Sequence, residues 1–356
     1  MQGSKSYRTE RPSSPHLMPH RLCTSWRGEG LVTEFDKQQS FMHAVDFTTT
    51  PRDLRAVAIM KDFDMSKRDG TPRSALVTGG NSGIGLAVAQ GLGQKGYKVW
   101  IAGRSAEKGA AAVARLRPHT PAGVEFLPLD VTLFADIEKF VSALRPQLGG
   151  RLDALVHSTG ALNAKRVVSA DGLEGSWATQ FLGRYLLTEA FTPELASADD
   201  GRVVFVSAQP PKNPRLFEDD PSLEKNYTIM RAISQAQSAS ALYEQMYAAE
   251  HPDGPAINGA NAGVVANTGI GRAQPALLRM TSKAMSAAFG ISPEQSAKNI
   301  VALASDPALE GVSGYCFPKP QNLQKRRKLA YSEEHLASLR RVLAKYATTK
   351  SKLLSA

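Results

Sequence analysis

The chain has 356 residues, 42% of them hydrophobic, and a formal net charge of +10. That length accommodates one globular unit with appended ends rather than two large domains. The two cysteines, Cys23 and Cys316, lie far apart without metal-ligand spacing, which excludes a disulfide framework and a cysteine zinc centre and fits a reducing compartment, the cytoplasm; no run approaches the roughly 20 apolar residues that cross a bilayer, so a soluble or peripheral protein is expected.

Residues 1–72 are rich in Pro, Ser, Arg and isolated aromatics without sustained periodicity, and are expected to form a mostly disordered extension. Lys5, Arg8, Arg11, Arg21 and Arg27 with scattered Ser suggest organelle targeting, whereas Glu10, Glu29 and the lack of an amphipathic face oppose it. Across residues 73–318 short apolar runs alternate with amphipathic stretches, the pattern of a parallel sheet with helices on both faces. Strands are predicted at residues 74–78, 98–102, 124–128, 152–157, 202–206, 257–260 and 314–317. The expected fold is therefore a Rossmann-type, doubly wound α/β domain with seven parallel strands, followed by a basic helical tail at residues 319–356.

Directly after the first strand comes Thr78-Gly79-Gly80-Asn81-Ser82-Gly83-Ile84-Gly85, and directly after that a helix-like stretch. Strand, glycine turn and helix start in that order build an anion cradle, because the first backbone N–H groups of a helix are unpaired and its dipole favours negative charge. Gly79 permits the turn, Gly83 lets a pyrophosphate approach the backbone, and Gly85 lets the helix close on the strand. Dinucleotide binding is the expectation; a purely structural turn is the alternative.

Residues 209–231 carry Pro210, Pro211, Pro214 and Pro221 among charges, a connection long enough to be functional or disordered. Residues 267–291 present Leu277, Leu278, Met280, Met285 and Phe289, either a helix packed on the sheet or a lid over an apolar small molecule. Ser292-Pro293-Glu294-Gln295 has the form of a capping box with Pro in the first turn. In the tail, Leu336, Leu339, Val342, Leu343 and Tyr346 share one helical face, with Ser332 placed to cap it. From Phe317 to Ala356 ten Lys or Arg stand against two Glu. Such a run is a solvated surface or a contact for acidic partners, nucleic acid or anionic lipid, and no aromatics interleave with it as in a single-strand binder.

These motifs together resemble the short-chain dehydrogenase/reductase family, in particular its retinol-dehydrogenase-like branch. The resemblance runs over residues 73–346 and rests on the octet at Thr78 to Gly85, Gly103-Arg104, Leu129-Asp130-Val131-Thr132, Ala170-Asp171-Gly172-Leu173-Glu174, Glu224-Lys225-Asn226-Tyr227, Ala262-Gly263-Val264-Val265 and Glu310-Gly311-Val312-Ser313-Gly314. It implies nucleotide contacts from Gly79, Asn81, Ser82, Gly83, Ile84, Gly85, Arg104, Asp130, Val131, Ser158, Gly160 and Gly263. A guanidinium at position 104 pairs with a 2′-phosphate where a carboxylate would prefer a free hydroxyl, which favours NADP(H) over NAD(H). The fourth-strand motif departs from the family's Asn-Asn-Ala-Gly and reads His157-Ser158-Thr159-Gly160.

The family reduces a carbonyl with a Tyr proton donor acidified by a Lys four residues on, an orienting Ser and a supporting Asn. In the register fixed by the flanking motifs, Tyr and Lys fall on Ile233 and Gln237, the Ser on Ala208 and the Asn on Gln180. Neither isoleucine nor glutamine can supply an acidified proton. Ser207 stands one place early and, by strand alternation, is expected to point away from the site. Tyr227 with Arg231 repeats the i, i+4 spacing and His157 is a further candidate acid, while Tyr185, Tyr243 and Tyr247 read as core.

The expected function is therefore an NADP(H)-binding protein of this family with weak or absent oxidoreductase activity and a binding or regulatory role. One alternative is an active NADP-dependent oxidoreductase on an apolar alcohol, aldehyde or ketone, using Tyr227 or His157. A second is a scaffold acting through its basic tail. A homo-oligomer is compatible with each.

Overall fold

The computed structural model describes residues 70–263, 265, 290–320 and 322–355. The central strands form because their apolar runs are buried on both faces, as parallel strands between helical layers must be: all five residues of β1 (Ser74–Thr78) are buried. Then follow α1 (Gly83–Gln94), β2 (Lys98–Gly103), α2 (Ala106–Leu116), β3 (Val124–Pro128), α3 (Phe134–Leu144) and β4 (Ala154–His157). A short helix, Gly175–Trp177, runs through a π-helical turn at Ala178–Leu182 into α4 (Gly183–Ala196). The second half comprises β5 (Arg202–Ser207), α5 (Ile229–Glu250), β6 (Ala256–Asn261), α6 (Pro293–Ser305), β7 (Tyr315–Phe317), β8 (Arg327–Lys328), α7 (Glu333–Ala344) and α8 (Ala347–Ser355).

The sheet order is β3-β2-β1-β4-β5-β6-β7-β8. Strand order reverses between β1 and β4, where an open α/β sheet leaves its ligand crevice at the carboxyl ends of the strands. Strands β1 to β7 are parallel, whereas β8 runs antiparallel to β7, pairing Tyr315 with Lys328 and Cys316 with Arg327. The expected seven strands are thus eight. Two residues inside the basic run 325–328 are too short for any period-2 pattern to show, and the strand is held partly from outside by Lys328 and Arg326 over the Tyr315 ring, 4.8 and 5.1 Å from its centroid.

One apolar layer, built on Val77, Val88, Leu92, Ile101, Val204 and Ile300, lies on the α1 and α6 side. The other includes Trp177, Phe181, Phe205, Tyr243 and Tyr247 on the α4 and α5 side. The tail closes over this second layer: Leu336, Leu339, Val342, Leu343 and Leu353 belong to the same cluster. Ser332 caps α7 by accepting from His335 N, and Ser292 and Gln295 form the full capping box of α6.

Much of the tail's charge is spent internally. Arg341 grips both carboxylate oxygens of Glu218, at 2.5 and 2.8 Å, and Lys345 donates to the Glu218 carbonyl. Lys350 pairs with Glu189. With Tyr331 Oη donating to the Pro211 carbonyl, the Arg341 and Lys345 contacts strap down the Pro-rich connection between β5 and α5, whereas Lys350 ties α8 to α4. Residues 1–69, and the lid candidate with Leu277, Leu278, Met280, Met285 and Phe289, lie outside the described residues. No helix among the described residues is long and apolar enough to cross a membrane.

Candidate nucleotide crevice and active site

The glycine turn between β1 and α1 is built by backbone. Gly79 has φ +73° and its N–H donates to the Ala102 carbonyl at 2.8 Å, tying the turn to the end of β2. A Cβ on Gly79 would lie 3.1 Å from the Ser158 and Thr159 backbone, and one on Gly85 only 2.3 Å from the Gly79 carbonyl oxygen. Ser82, the N-cap of α1, makes no side-chain capping bond, and the first turn contains no acidic residue. The orphan N–H groups of the first turn therefore face the crevice with no side-chain capping acceptor among the described residues. These are the features a pyrophosphate requires, so the residues fit a dinucleotide. Gly85→Ala is expected to abolish nucleotide-induced thermal stabilisation and to cost about 2 kcal/mol or more of stability, by the overpacking scale; differential scanning fluorimetry checks both.

The other residues expected at a nucleotide lie in this turn or just past the carboxyl ends of β2, β3, β4 and β6. Asn81 packs on the end of β2, where a Cβ on Gly103 would be 2.7 Å from its amide nitrogen, and Arg104, the next residue, is exposed. Asp130 is partly committed, its Oδ1 accepting from Thr132 N and Oγ1 at 3.0 and 2.8 Å. Val131 is buried in the α4 side core, so what it offers the crevice is backbone. Ser158 N donates to the Thr78 carbonyl at 3.0 Å, joining β4 to β1. Gly160 follows in an exposed loop, and Gly263, with φ +74°, ends the β6 segment.

Ile233 and Gln237, four residues apart on α5 and both half-buried, share one helical face. Gln237 and Ala208 come together around a narrow cleft lined also by Ser207, Ser240, Glu244, Gly259 and Cys316. Ser207 was expected to face away, and it does not. Phe205 packs with the α5 side core whereas Val204 and Val206 pack with the opposite layer, so alternation places Ser207 on the α5 side. Its hydroxyl donates to the Ala208 carbonyl at 3.1 Å. Gln180 sits in the π-helical turn, donates to the Ala161 carbonyl at 2.7 Å, and accepts on its own carbonyl from Ser240 Oγ at 3.1 Å.

The substitute acids are placed against that role. Tyr227 precedes the helix N-cap Thr228, and its hydroxyl donates to the Asn163 carbonyl. Burial, with Glu174 adding, pushes its phenol above the usual range, the opposite of what a proton donor needs. Arg231 lies over the Phe217 ring, 4.1 Å from its centroid. His157 is fully buried between Thr78 and Thr188, with ring nitrogens 3.4 and 3.0 Å from their hydroxyls. Burial first and Arg184 second hold it neutral, well below the ordinary imidazole range.

Two residues not singled out from the sequence are prominent. Arg184 on α4 and Glu244 on α5 are charged types buried at 3% and 2% exposure. Burial pushes the Glu244 carboxyl up to about 8, opposed by Arg184, and lowers the Arg184 guanidinium to about 10. Glu244 fits because residue 259 is glycine: a Cβ there would be 2.5 Å from Glu244 Oε2. A charged side chain inside an otherwise apolar helical face was the available cue.

The family model described as short chain dehydrogenase matches residues 73–217. Retinol dehydrogenase 14 of Homo sapiens is 28% identical over 273 residues, covering 70% of this chain and 81% of that protein. Polyprenol dehydrogenase of Mus musculus is 32% identical over 250 residues, covering 68% and 74%. Among solved structures, a short chain dehydrogenase from Shigella flexneri 2a str. 301 complexed with NADP superposes with a TM-score of 0.53 at 20% identity, over 69% of this chain and 95% of that one. The chain belongs to the short-chain dehydrogenase/reductase family, oxidoreductases whose cofactor is a nicotinamide dinucleotide.

Proposed function

We propose that this protein binds NADP(H) in the crevice at the β1/β4 switch point and has lost its family's acid catalyst, so that it serves as a nucleotide-responsive binding or regulatory protein with feeble or no carbonyl reduction. The observation that carries the reading is Ile233 and Gln237 on the shared face of α5, where the resemblance calls for a phenol and an ammonium. When bound, the nicotinamide would supply hydride. The alkoxide so formed needs a proton, and general acid catalysis is typically worth about 10²–10⁴-fold. Gln237 brings an uncharged amide, Ile233 a hydrocarbon, and Ala208 no hydroxyl. Tyr227 and His157 are held as described above, one raised in pKa and one sealed from solvent. Arg104, exposed beside Asn81, supports the 2′-phosphate and hence NADP(H) over NAD(H).

Titration with NADPH, followed by its fluorescence, is expected to saturate. NADPH oxidation in the presence of apolar aldehydes and ketones, chosen because the relatives are named for retinol and polyprenol, is expected to stay at background. The double variant Ile233→Tyr with Gln237→Lys is expected to raise that oxidation by about tenfold or more. Robust wild-type turnover that disappears in Tyr227→Phe would instead establish an active reductase with a relocated acid.

A further inference from the structure

Arg184 is bound where two strands reach the crevice. Its Nη1 donates to the Val206 carbonyl at 3.0 Å, near the end of β5, and its Nη2 to the Thr159 carbonyl, two residues past β4. Nε is buried and without a hydrogen-bond partner among the described residues. The guanidinium face lies over Phe205, 5.8 Å from the ring centroid. Bridging two carbonyls needs donors, which a neutral amide also has; what arginine adds is a permanent positive charge in a dehydrated place.

Among the described residues no carboxylate forms an ion pair with it: its hydrogen bonds go to the Val206 and Thr159 carbonyls. The carboxyl acting on it, Glu244 on α5, keeps its proton because burial has raised it. His157 on β4 is neutral, and the Cys316 thiol on β7 is pushed up to about 12 by burial. Gln237 is uncharged. The crevice ends of β4 and β5 therefore carry a net positive charge.

The dinucleotide's orientation follows from the cradle. Its pyrophosphate belongs at the N-terminus of α1, and Arg104 and Asp130 place the adenosine half over β2 and β3. The nicotinamide half then falls over β4 and β5. That ring carries a positive charge when oxidised and none when reduced.

We propose that Arg184 makes the site selective for the reduced cofactor, so that NADPH binds more tightly than NADP+ because the oxidised ring brings a second positive charge to the ends of β4 and β5. The inference rests on the NADP(H)-binding reading. It deepens that reading by naming the redox state sensed: a protein without turnover that holds NADPH and releases NADP+ reports the ratio of the two. Repulsion between two partly buried unit charges at an effective dielectric near 20 corresponds to a preference on the order of tenfold.

The test measures dissociation constants for NADPH, NADP+ and 2′,5′-ADP by calorimetry on wild type, Arg184→Lys, Arg184→Gln and Arg184→Met. Wild type is expected to prefer NADPH by about tenfold. Arg184→Lys should keep most of that preference, while Arg184→Gln and Arg184→Met should bring the two constants to within about twofold. Binding of 2′,5′-ADP, which lacks the ring, should be unchanged in all four. The Gln variant keeps amide donors toward the carbonyls, so it answers the question if Met loosens the strand ends. Equal wild-type affinities, or an unchanged ratio in the Gln variant while 2′,5′-ADP still binds, would overturn the proposal. Failure of wild type to bind 2′,5′-ADP and both dinucleotides would overturn the nucleotide-binding reading, and this inference with it.

Discussion

Glutamine in place of Glu244 raises the melting temperature by about 5–10 °C at pH 8 and leaves it nearly unchanged at pH 4.5, on the scale that relates stability to melting temperature. The cause is a carboxyl that folding carries into the interior without a salt bridge among the described residues. The groups facing it are Arg184 from α4, the Cys316 thiol from β7 and the Tyr331 phenol that follows β8. Burial is the largest influence and favours the protonated acid; the cation at Arg184 opposes it but loses. In the unfolded chain the carboxyl ionises from its ordinary value of 4.5, whereas in the folded chain it holds its proton up to about 8. Between those limits the native state binds one more proton than the unfolded state, so stability falls as pH rises through that window and levels off above it. The full difference corresponds to about 3–5 kcal/mol. Glutamine has nearly the same shape, keeps the fit against Gly259 and removes the titration. Thermal melts of both proteins at pH 4.5, 6, 7 and 8 read the effect directly. Parallel curves would mean that Glu244 is ionised in the folded protein and compensated there.

What was legible in the sequence is what short-range pattern encodes. The strands fall where continuous apolar runs stand between helical stretches, and the glycine octet declares a turn because positions 79 and 85 tolerate no Cβ. The amphipathic face of α7 was legible for the same reason: Leu336, Leu339, Val342 and Leu343 recur at helical spacing and are buried together. Long-range pairing is where the pattern stops. Glu244 reads as a solvent-facing helical charge until Gly259, fifteen residues on, is seen to leave it room. Arg184 gives no sign that its acceptors are the carbonyls of Thr159 and Val206. The side of Ser207 is not legible from position 208, which lies past the end of β5; the phase of the pleat is set by Phe205 within it. The eighth strand is too brief to carry any period, and it exists because β7 offers an open edge.

Deletion of residues 321–356 is expected to leave no cooperatively folded protein, which separates a structural role for the tail from a purely interactive one. Leu336, Leu339, Val342, Leu343 and Leu353 are each at most 8% exposed and share a core with Phe181, Phe191, Tyr243 and Tyr247. Burying five such side chains is worth about 1.5–3 kcal/mol each, a sum comparable with the roughly 5–15 kcal/mol that holds a domain folded. The deletion also strips β8 from β7, opening a sheet edge whose N–H and C=O groups then have no partner. It releases the connection after β5 as well, because the bonds from Arg341 to Glu218 and from Tyr331 to Pro211 are lost. Charge removal alone should do far less, since Arg341 and its partner Glu218 lie in contact with solvent, where an ion pair contributes little. The comparison is therefore between the deletion, Leu339→Asp and Arg341→Ala, followed by near-ultraviolet circular dichroism and thermal melting. Loss of tertiary signal in the first two with a near wild-type melt in the third is the expected pattern. A deleted chain that melts within a few degrees of wild type would show instead that the body folds without α7 and α8, returning the basic residues to candidacy as a surface for partners.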